Sequence, residues 1–202
     1  MSFLSIHETF QETIQGEGYW LGIPCDFIRL YGCPVGCSWC DTGYADGGSN
    51  IPAERVEIAD LIAELKSDRV VISGGEPFFQ PNLKLLTEMI LTTDRKVAIE
   101  TSGSCWQRLS SEVWITLSPK EHLNPKFPVI SEFWQRTNEV KIVISDGTEP
   151  YFYQQYLREN CPLFLQPEWG DRDRTIPLTL KLLRAFPHAR LSPQLHKYLH
   201  VP

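Results

Sequence analysis

Cys33, Cys37 and Cys40 fall within eight residues, as CPVGCSWC. Three thiols at CxxxCxxC spacing on one tight loop are a metal site before they are anything else. They are one ligand short of the set that closes a structural zinc or an ordinary cubane cluster. A missing ligand leaves an open coordination position, which is what makes a metal catalytic rather than structural. Zinc on the same loop, stabilising a non-catalytic binding module, is the alternative that the spacing leaves open. The remaining three of the six cysteines, Cys25, Cys105 and Cys161, are scattered and read as buried or semi-buried free thiols. That usage suits a reducing, cytoplasmic compartment better than a disulfide scaffold.

The elements that must position this loop follow from composition and pattern. The chain has 202 residues, 42% hydrophobic and 22% charged, which predicts one soluble domain, spanning 1–202, around one core. A net charge of −6 argues against nucleic-acid binding through a basic field. No apolar run approaches the roughly 20 residues of a membrane helix, and Met1 to Glu8 carry neither a basic nor a long apolar region, so no secretory signal is expected.

Glu8 to Gly22 is punctuated by Gly16, Gly18 and Gly22 and reads as a loop or hairpin with short strand potential on either side. Cys25 to Tyr31 fits a strand. Its lone cation, Arg29, needs a partner there, either an anionic ligand or an internal ion pair. A short polar segment, Ala45 to Asn50, follows the cysteine loop, and near-helical apolar spacing predicts a helix over Ala53 to Lys66. Arg69 to Ser73 (RVVIS), Lys96 to Glu100 (KVAIE), Val113 to Leu117 (VWITL), Glu139 to Ser145 (EVKIVIS) and Leu163 to Gln166 (LFLQ) read as strands, with a last short one from Arg190. Helices are predicted over Asn82 to Leu91 and Thr179 to Phe186. Strand, polar loop and helix thus alternate about six times. The pattern predicts an α/β fold, a partial, open, about six-stranded parallel β/α barrel. In such folds the loops after the strands meet at one face. The cysteine loop, GGEP, TSG, SPK and QPEW should therefore converge.

The cysteine spacing resembles the signature of the radical S-adenosylmethionine (SAM) superfamily, whose [4Fe–4S] cluster binds SAM at its open iron. The ordered segments TIQGEGYWLGIPCDFIRLYGCPVGCSWCDT, VVISGGEP, ETSG, SPK, LQP and PQLHKYL narrow this. They resemble the 7-carboxy-7-deazaguanine synthases of queuosine and deazapurine biosynthesis, over nearly the whole chain. The resemblance implies a lyase reaction on 6-carboxy-5,6,7,8-tetrahydropterin, with SAM as a regenerated cofactor and Mg²⁺ also used. It implies a flavodoxin- or ferredoxin-type electron donor and a homodimer, with an N-terminal substrate loop and a C-terminal segment that closes the pocket.

Carried over residue by residue, the resemblance gives Cys33, Cys37 and Cys40 to the cluster and Thr42 to Mg²⁺. SAM falls to Trp39, to Gly74, Gly75 and Glu76 with Ser102, to Ser118, Pro119 and Lys120, and to Gln166, Pro167, Glu168 and Trp169. The pterin falls to Ile14, Gln15, Gly16, Glu17, Arg29 and Ser73, with His196 and Pro202 closing the pocket. No protein group is expected to act as general acid or base, since the cofactor carries the chemistry. A radical SAM activase of a partner protein is the competing enzyme reading.

Overall fold

The computed structural model describes residues 2–46 and 50–202. Of the polar segment expected from Ala45 to Asn50, residues 47–49 lie outside the described residues. In chain order the elements are β1 (Phe3–Ile14), β2 (Pro24–Leu30), β3 (Glu54–Glu57), α1 (Ile58–Ala63), β4 (Arg69–Gly74) and α2 (Leu83–Leu91). There follow β5 (Lys96–Thr101), β6 (Trp114–Leu117), α3 (Ser131–Arg136), β7 (Glu139–Ile144) and α4 (Glu149–Tyr153). The last are β8 (Leu163–Pro167), α5 (Arg172–Ala185), β9 (Ala189–Leu191) and α6 (Leu195–Leu199).

One sheet holds all nine described strands in the order β3-β1-β2-β4-β5-β6-β7-β8-β9. From β2 through β9 every neighbouring pair is parallel, and β1 joins β2 and β3 antiparallel. The expected class holds: α/β, with an open and mostly parallel sheet rather than a closed barrel. Every strand read from the sequence is present, within a residue or two at its ends.

The differences have local causes. The helix expected from Ala53 begins instead as β3, because the N-terminal half of β1 offers it a pairing edge from Phe3↔Glu57 to Ile6↔Glu54. Only Ile58–Ala63 is helical, so tertiary pairing overrides helical periodicity. The segment from Glu8, read as a loop or hairpin, is a hairpin: it is strand as far as Ile14, turns through residues 15–23 and returns antiparallel as β2. The strand survives its polar residues by bulging. Glu12 adopts a left-handed φ of 55°, the register shifts between Phe10 and Thr13, and the Glu12 N–H donates to Asp26 Oδ1 at 2.9 Å. Helix α5 starts at Arg172 rather than Thr179 and runs through Pro177, a residue that ordinarily interrupts a helix.

The sheet has two unlike faces. On one, Ile28, Leu30, Val70, Ile72, Val97 and Ile99 pack against Leu61, Leu83, Leu86 and Ile90 of α1 and α2. Val140, Ile142, Ile144, Leu163 and Leu165 do the same beneath Tyr153 and Leu182. Since side chains alternate along a strand, the residues between these point to the other face. There the apolar floor is small: Cys25, Val71 and Ala98, with Trp20, Phe27 and Trp114 against them. A short 3₁₀ turn, Gly18–Trp20, plugs this end, with Tyr19 stacked on Trp114 at 4.8 Å.

Candidate active site

Above that floor the strands turn polar. Arg29 of β2 lies opposite Ser73 of β4. Glu100 of β5 lies opposite Thr116 of β6, which faces Glu139 of β7, and Val143 of β7 lies opposite Gln166 of β8. With the loops that follow them, these strands line one cleft that also takes in the cysteine loop and the C-terminal segment. The convergence expected of a parallel sheet is therefore met.

At one end of the cleft are the three cysteines, all free thiols. Their loop is tied down by backbone. Cys40 N–H donates to the Cys37 carbonyl at 3.1 Å, Glu76 N–H to the Gly32 carbonyl at 2.9 Å, and the Asn124 amide to the Val35 carbonyl at 2.9 Å. Gly75 explains the double glycine. A Cβ there would stand 1.9 Å from the Gly32 carbonyl oxygen, so only glycine lets the two loops touch. The Glu76 carboxylate is buried and engaged by the protein itself. It accepts from the Thr101 hydroxyl at 2.6 Å and from Ser102 N–H at 2.8 Å, and thereby sets the edge of the cleft. Burial pushes its carboxyl up all the same.

The same end carries a half-buried cation. Lys120 donates to Ser118 Oγ at 2.6 Å and lies 5.6 Å from the centre of the Trp39 ring. Burial lowers its ammonium below the ordinary value, and burial likewise pushes the Cys33 thiol up to about 11. The indole N–H of Trp39 is buried without an acceptor among the described residues. Three free thiols, a nearby cation and an unspent donor are a donor set that fits a thiolate-held cluster with a second ligand beside it. Among the described residues no three Cys, His, Asp or Glu side chains, the three cysteines included, are drawn together around a single point.

The other end is a charge cluster centred on Lys141, whose side chain is only 5% exposed. Its ammonium bonds Glu17 Oε2, and Glu100 Oε2 at 2.8 Å. Each carboxylate has a second donor: the Gln194 amide on Glu17 Oε1 at 2.8 Å, and the Gln15 amide on Glu100 Oε1 at 3.1 Å. Burial alone would raise the Glu17 carboxyl, but the ammonium wins and holds it below its ordinary value. Glu100 stays above its ordinary value, because burial and the neighbouring Glu17 outweigh the same cation. Burial alone would lower Lys141, and the two carboxylates reverse that and hold it above its ordinary value.

The C-terminal segment straps this end. Gln194 Nε2 also donates to Asp41 Oδ2 at 2.9 Å, and Lys197 Nζ pairs with Asp41 Oδ2 at 3.0 Å. Leu195 N–H donates to the Gly16 carbonyl at 2.9 Å, and the Thr13 hydroxyl donates to the Pro202 carbonyl at 3.1 Å.

The residues singled out in the sequence distribute as follows. Cys33, Cys37, Cys40, Trp39, Thr42, Ser73, Gly74, Gly75, Glu76, Ser102, Ser118, Lys120, Gln166, Pro167 and Glu168 line the cleft. So do Ile14, Gln15, Glu17, Arg29, His196 and Pro202. Three do not. Gly16 lies under His196, whose Nδ1 would be 2.0 Å from a Cβ at that position. Pro119 is buried beside the cleft. Trp169 packs edge-on against Tyr198 at 4.9 Å, with Lys197 and Arg172 over its ring. Glu168 lines the cleft, yet its carboxylate accepts from Gly170 and Asp171 N–H at the start of α5.

Glu100, Lys141, Asp41 and Gln194 belong to the site and were not singled out. A signal existed for two of them. Glu100 in KVAIE and Lys141 in EVKIVIS are charges inside buried strands, the feature that drew attention to Arg29.

Comparison with known proteins agrees with this fold and places the chain in a family. The model of the Radical SAM superfamily matches residues 27–115. A 7-carboxy-7-deazaguanine synthase from Flavobacterium psychrophilum is 33% identical, over 94% of this chain and 89% of its own. The Escherichia coli K12 protein of the same name is also 33% identical, over 97% of this chain and 98% of its own. The crystal structure of QueE from Escherichia coli superposes with a TM-score of 0.80 at 30% identity, covering 96% of this chain and 95% of that one.

Proposed function

The chain belongs to the 7-carboxy-7-deazaguanine synthases of the radical SAM superfamily, and from that premise we propose that its cleft converts 6-carboxy-5,6,7,8-tetrahydropterin to 7-carboxy-7-deazaguanine with loss of ammonia. Membership brings a [4Fe–4S] cluster and SAM with it. The zinc-stabilised module and the partner-protein activase therefore fall away. When bound, cluster and SAM supply the radical that removes a hydrogen from the substrate carbon bearing the carboxylate. The chain's own residues bind, orient and exclude water.

The observation that carries the reading is the polarity of the cleft: free thiols at one end, a buried Glu17–Lys141–Glu100 group at the other. The first suits a cluster and SAM. The second suits a flat heterocycle rich in N–H donors. In this reading Cys33, Cys37 and Cys40 hold the cluster. The backbone of Gly74 and Gly75, with Trp39, Ser102, Ser118, Lys120 and Gln166, receives SAM. Glu17, Gln15 and His196 meet the pterin ring, and burial keeps the His196 imidazole neutral at pH 7. Arg29 takes the substrate carboxylate through its planar fork, and Ser73 stands beside it. The Thr42 hydroxyl serves Mg²⁺, a hard cation that prefers oxygen. The chain works as one radical SAM domain, dimerises with a second copy, and takes electrons from a small flavodoxin- or ferredoxin-type protein in the cytoplasm. No described helix is long and apolar enough to cross a membrane.

The test is anaerobic. Reconstituted, reduced protein is given SAM, the carboxytetrahydropterin and Mg²⁺, and the deazaguanine acid is sought by mass. The expected result is product that is lost with Cys37→Ala. Cleavage of SAM to 5′-deoxyadenosine without deazapurine would sink the substrate assignment.

A further inference from the structure

We propose that Lys141 is the positioning residue of the substrate end of the cleft, holding Glu17 and Glu100 together as a rigid pair of anionic acceptors for the N–H edge of the pterin. The inference rests on the functional reading above and deepens it.

The geometry begins with β7. Glu139 and Lys141 stand two residues apart on one strand, so both face the cleft side while Val140, Ile142 and Ile144 face the helices. An isolated lysine as buried as this one would lose its proton. Two carboxylates brought to one buried site cannot both stay ionised without a cation between them. The three groups solve both problems at once, with one ammonium bonded to one oxygen of each carboxylate.

The remaining oxygen of each is fixed by an amide, from Gln194 and from Gln15. All four carboxylate oxygens therefore have a protein donor, and each keeps a further lone pair for a ligand. Both residues line the cleft. Two carboxylates share one ammonium, so the group keeps more acceptor than donor capacity, complementary to a ring edge that presents an amino group and a ring N–H. Of the other cations that line the cleft, Lys120 donates to Ser118 and Arg29 to Glu8, and among the described residues neither hydrogen-bonds Glu17 or Glu100. Among the described residues Lys141 hydrogen-bonds only Glu17 and Glu100 and none of the thiol loop, so its effect on substrate passes through those two carboxylates.

The experiment uses holoenzyme with SAM bound and the cluster unreduced, and reads the pterin Kd by calorimetry. Lys141→Met keeps the stem and removes the charge. One of the two carboxylates then takes a proton or moves away, and the pterin Kd is expected to rise at least about 30-fold, the scale for uncoupling a buried charge pair. SAM affinity in the same samples should move less than about threefold, since an effect of that size is near 0.6 kcal/mol. Lys141→Met/Glu100→Gln removes one competing carboxylate along with the cation, and should recover most of the lost pterin affinity.

A merely structural role for Lys141 would not be repaired by a second substitution in a neighbouring carboxylate. An unchanged pterin Kd in Lys141→Met, an equal loss of SAM affinity, or a double variant no better than the single one overturns the proposal. Should Lys141→Met not fold, the double variant decides alone. A Kd within about tenfold (1.4 kcal/mol) of wild type supports the assignment, and a larger loss overturns it. Wild-type enzyme that neither binds nor converts the pterin overturns the functional reading, and this assignment with it.

Discussion

Strand β7 is buried along its whole length, yet its two faces are built on opposite principles. Val140, Ile142 and Ile144 lie in an apolar cluster under α4 and α5. On the other face Lys141 and Val143 line a cleft whose other walls carry Glu17, Glu100, Arg29 and Lys120, and Glu139 is covered by the Gly18–Trp20 turn. The helix face gains from removing hydrocarbon from water, about 25 cal/mol per Å². The cleft face gains little of that and has charges to desolvate, which is unfavourable unless each is paired. The difference teaches where stability and function reside: the same backbone carries one on each side, two residues out of phase. The comparison breaks down if a change on the helix face damages chemistry, or if one on the cleft face is needed to fold.

The largest stability effect belongs to the helix face. Ile142 is fully buried, and Ile142→Ala removes three carbons and leaves a cavity under α5. A loss of about 2–5 kcal/mol is expected in chemical denaturation. Turnover per folded molecule should be unchanged, because Ile142 faces away from the cleft. A variant that is stable but inactive would show that the two faces are not separable.

Next comes a titration on the cleft side. Glu139 is 2% exposed, accepts from the Thr116 hydroxyl and Tyr19 N–H at 2.9 Å each, and has no cation bonded to it among the described residues. Burial first, then the Glu100 charge, raise its carboxyl to about 7. In the unfolded chain it titrates at its ordinary value, so between roughly pH 4.5 and 7 the folded state holds a proton that the unfolded state has released. Glu139 therefore makes stability fall as pH rises through that window, by about 3 kcal/mol at most, and level off above it. Glu139→Gln keeps both contacts, since the Thr116 hydroxyl can accept as well as donate. It should flatten this fall and be more stable than wild type at pH 8 by about 1–3 kcal/mol. A fall that persists in the variant would place its source at another group.

The helix face is also the part of the molecule that a reader of the sequence can see. RVVIS, KVAIE and EVKIVIS are runs that only a buried parallel sheet explains, and each is a strand within a residue or two of its expected ends. The thiols and the loops after the strands are legible for a related reason, because parallel topology sends those loops to one edge. What stays hidden is pairing across distance. β3 is a strand because β1 offers it an edge, and nothing within Glu54–Glu57 says so. Glu17, Glu100 and Lys141 are 124 and 41 residues apart along the chain in their two bonds, and only the fold joins them. The strap from Gln194 to Asp41 spans 153 residues and is hidden in the same way. Family resemblance supplied Glu17 and His196 but named neither Lys141 nor Glu100, whose charges inside apolar strands were the available sign.

The mildest case is the ion pair at the open rim, where the two principles meet. Arg29 Nη1 bonds Glu8 Oε1 at 2.7 Å, with side chains 27% and 42% exposed, and its guanidinium lies 5.1 Å from the centre of the Phe10 ring. Both readings of this cation are thus present in one residue, since it has an internal partner and still lines the cleft. An exposed pair of this kind contributes about 0–1 kcal/mol to stability, because water screens it and two long side chains must be ordered. Glu8→Gln should therefore leave the denaturation midpoint nearly unchanged. Arg29→Lys keeps the charge and loses the planar fork, so it should also fold normally, while weakening the pterin about tenfold, or 1.4 kcal/mol. If instead Glu8→Gln destabilises the protein as much as Ile142→Ala does, the rim pair is structural. Arg29 would then have no free capacity for a substrate carboxylate, and the cation that receives it must be sought elsewhere in the cleft.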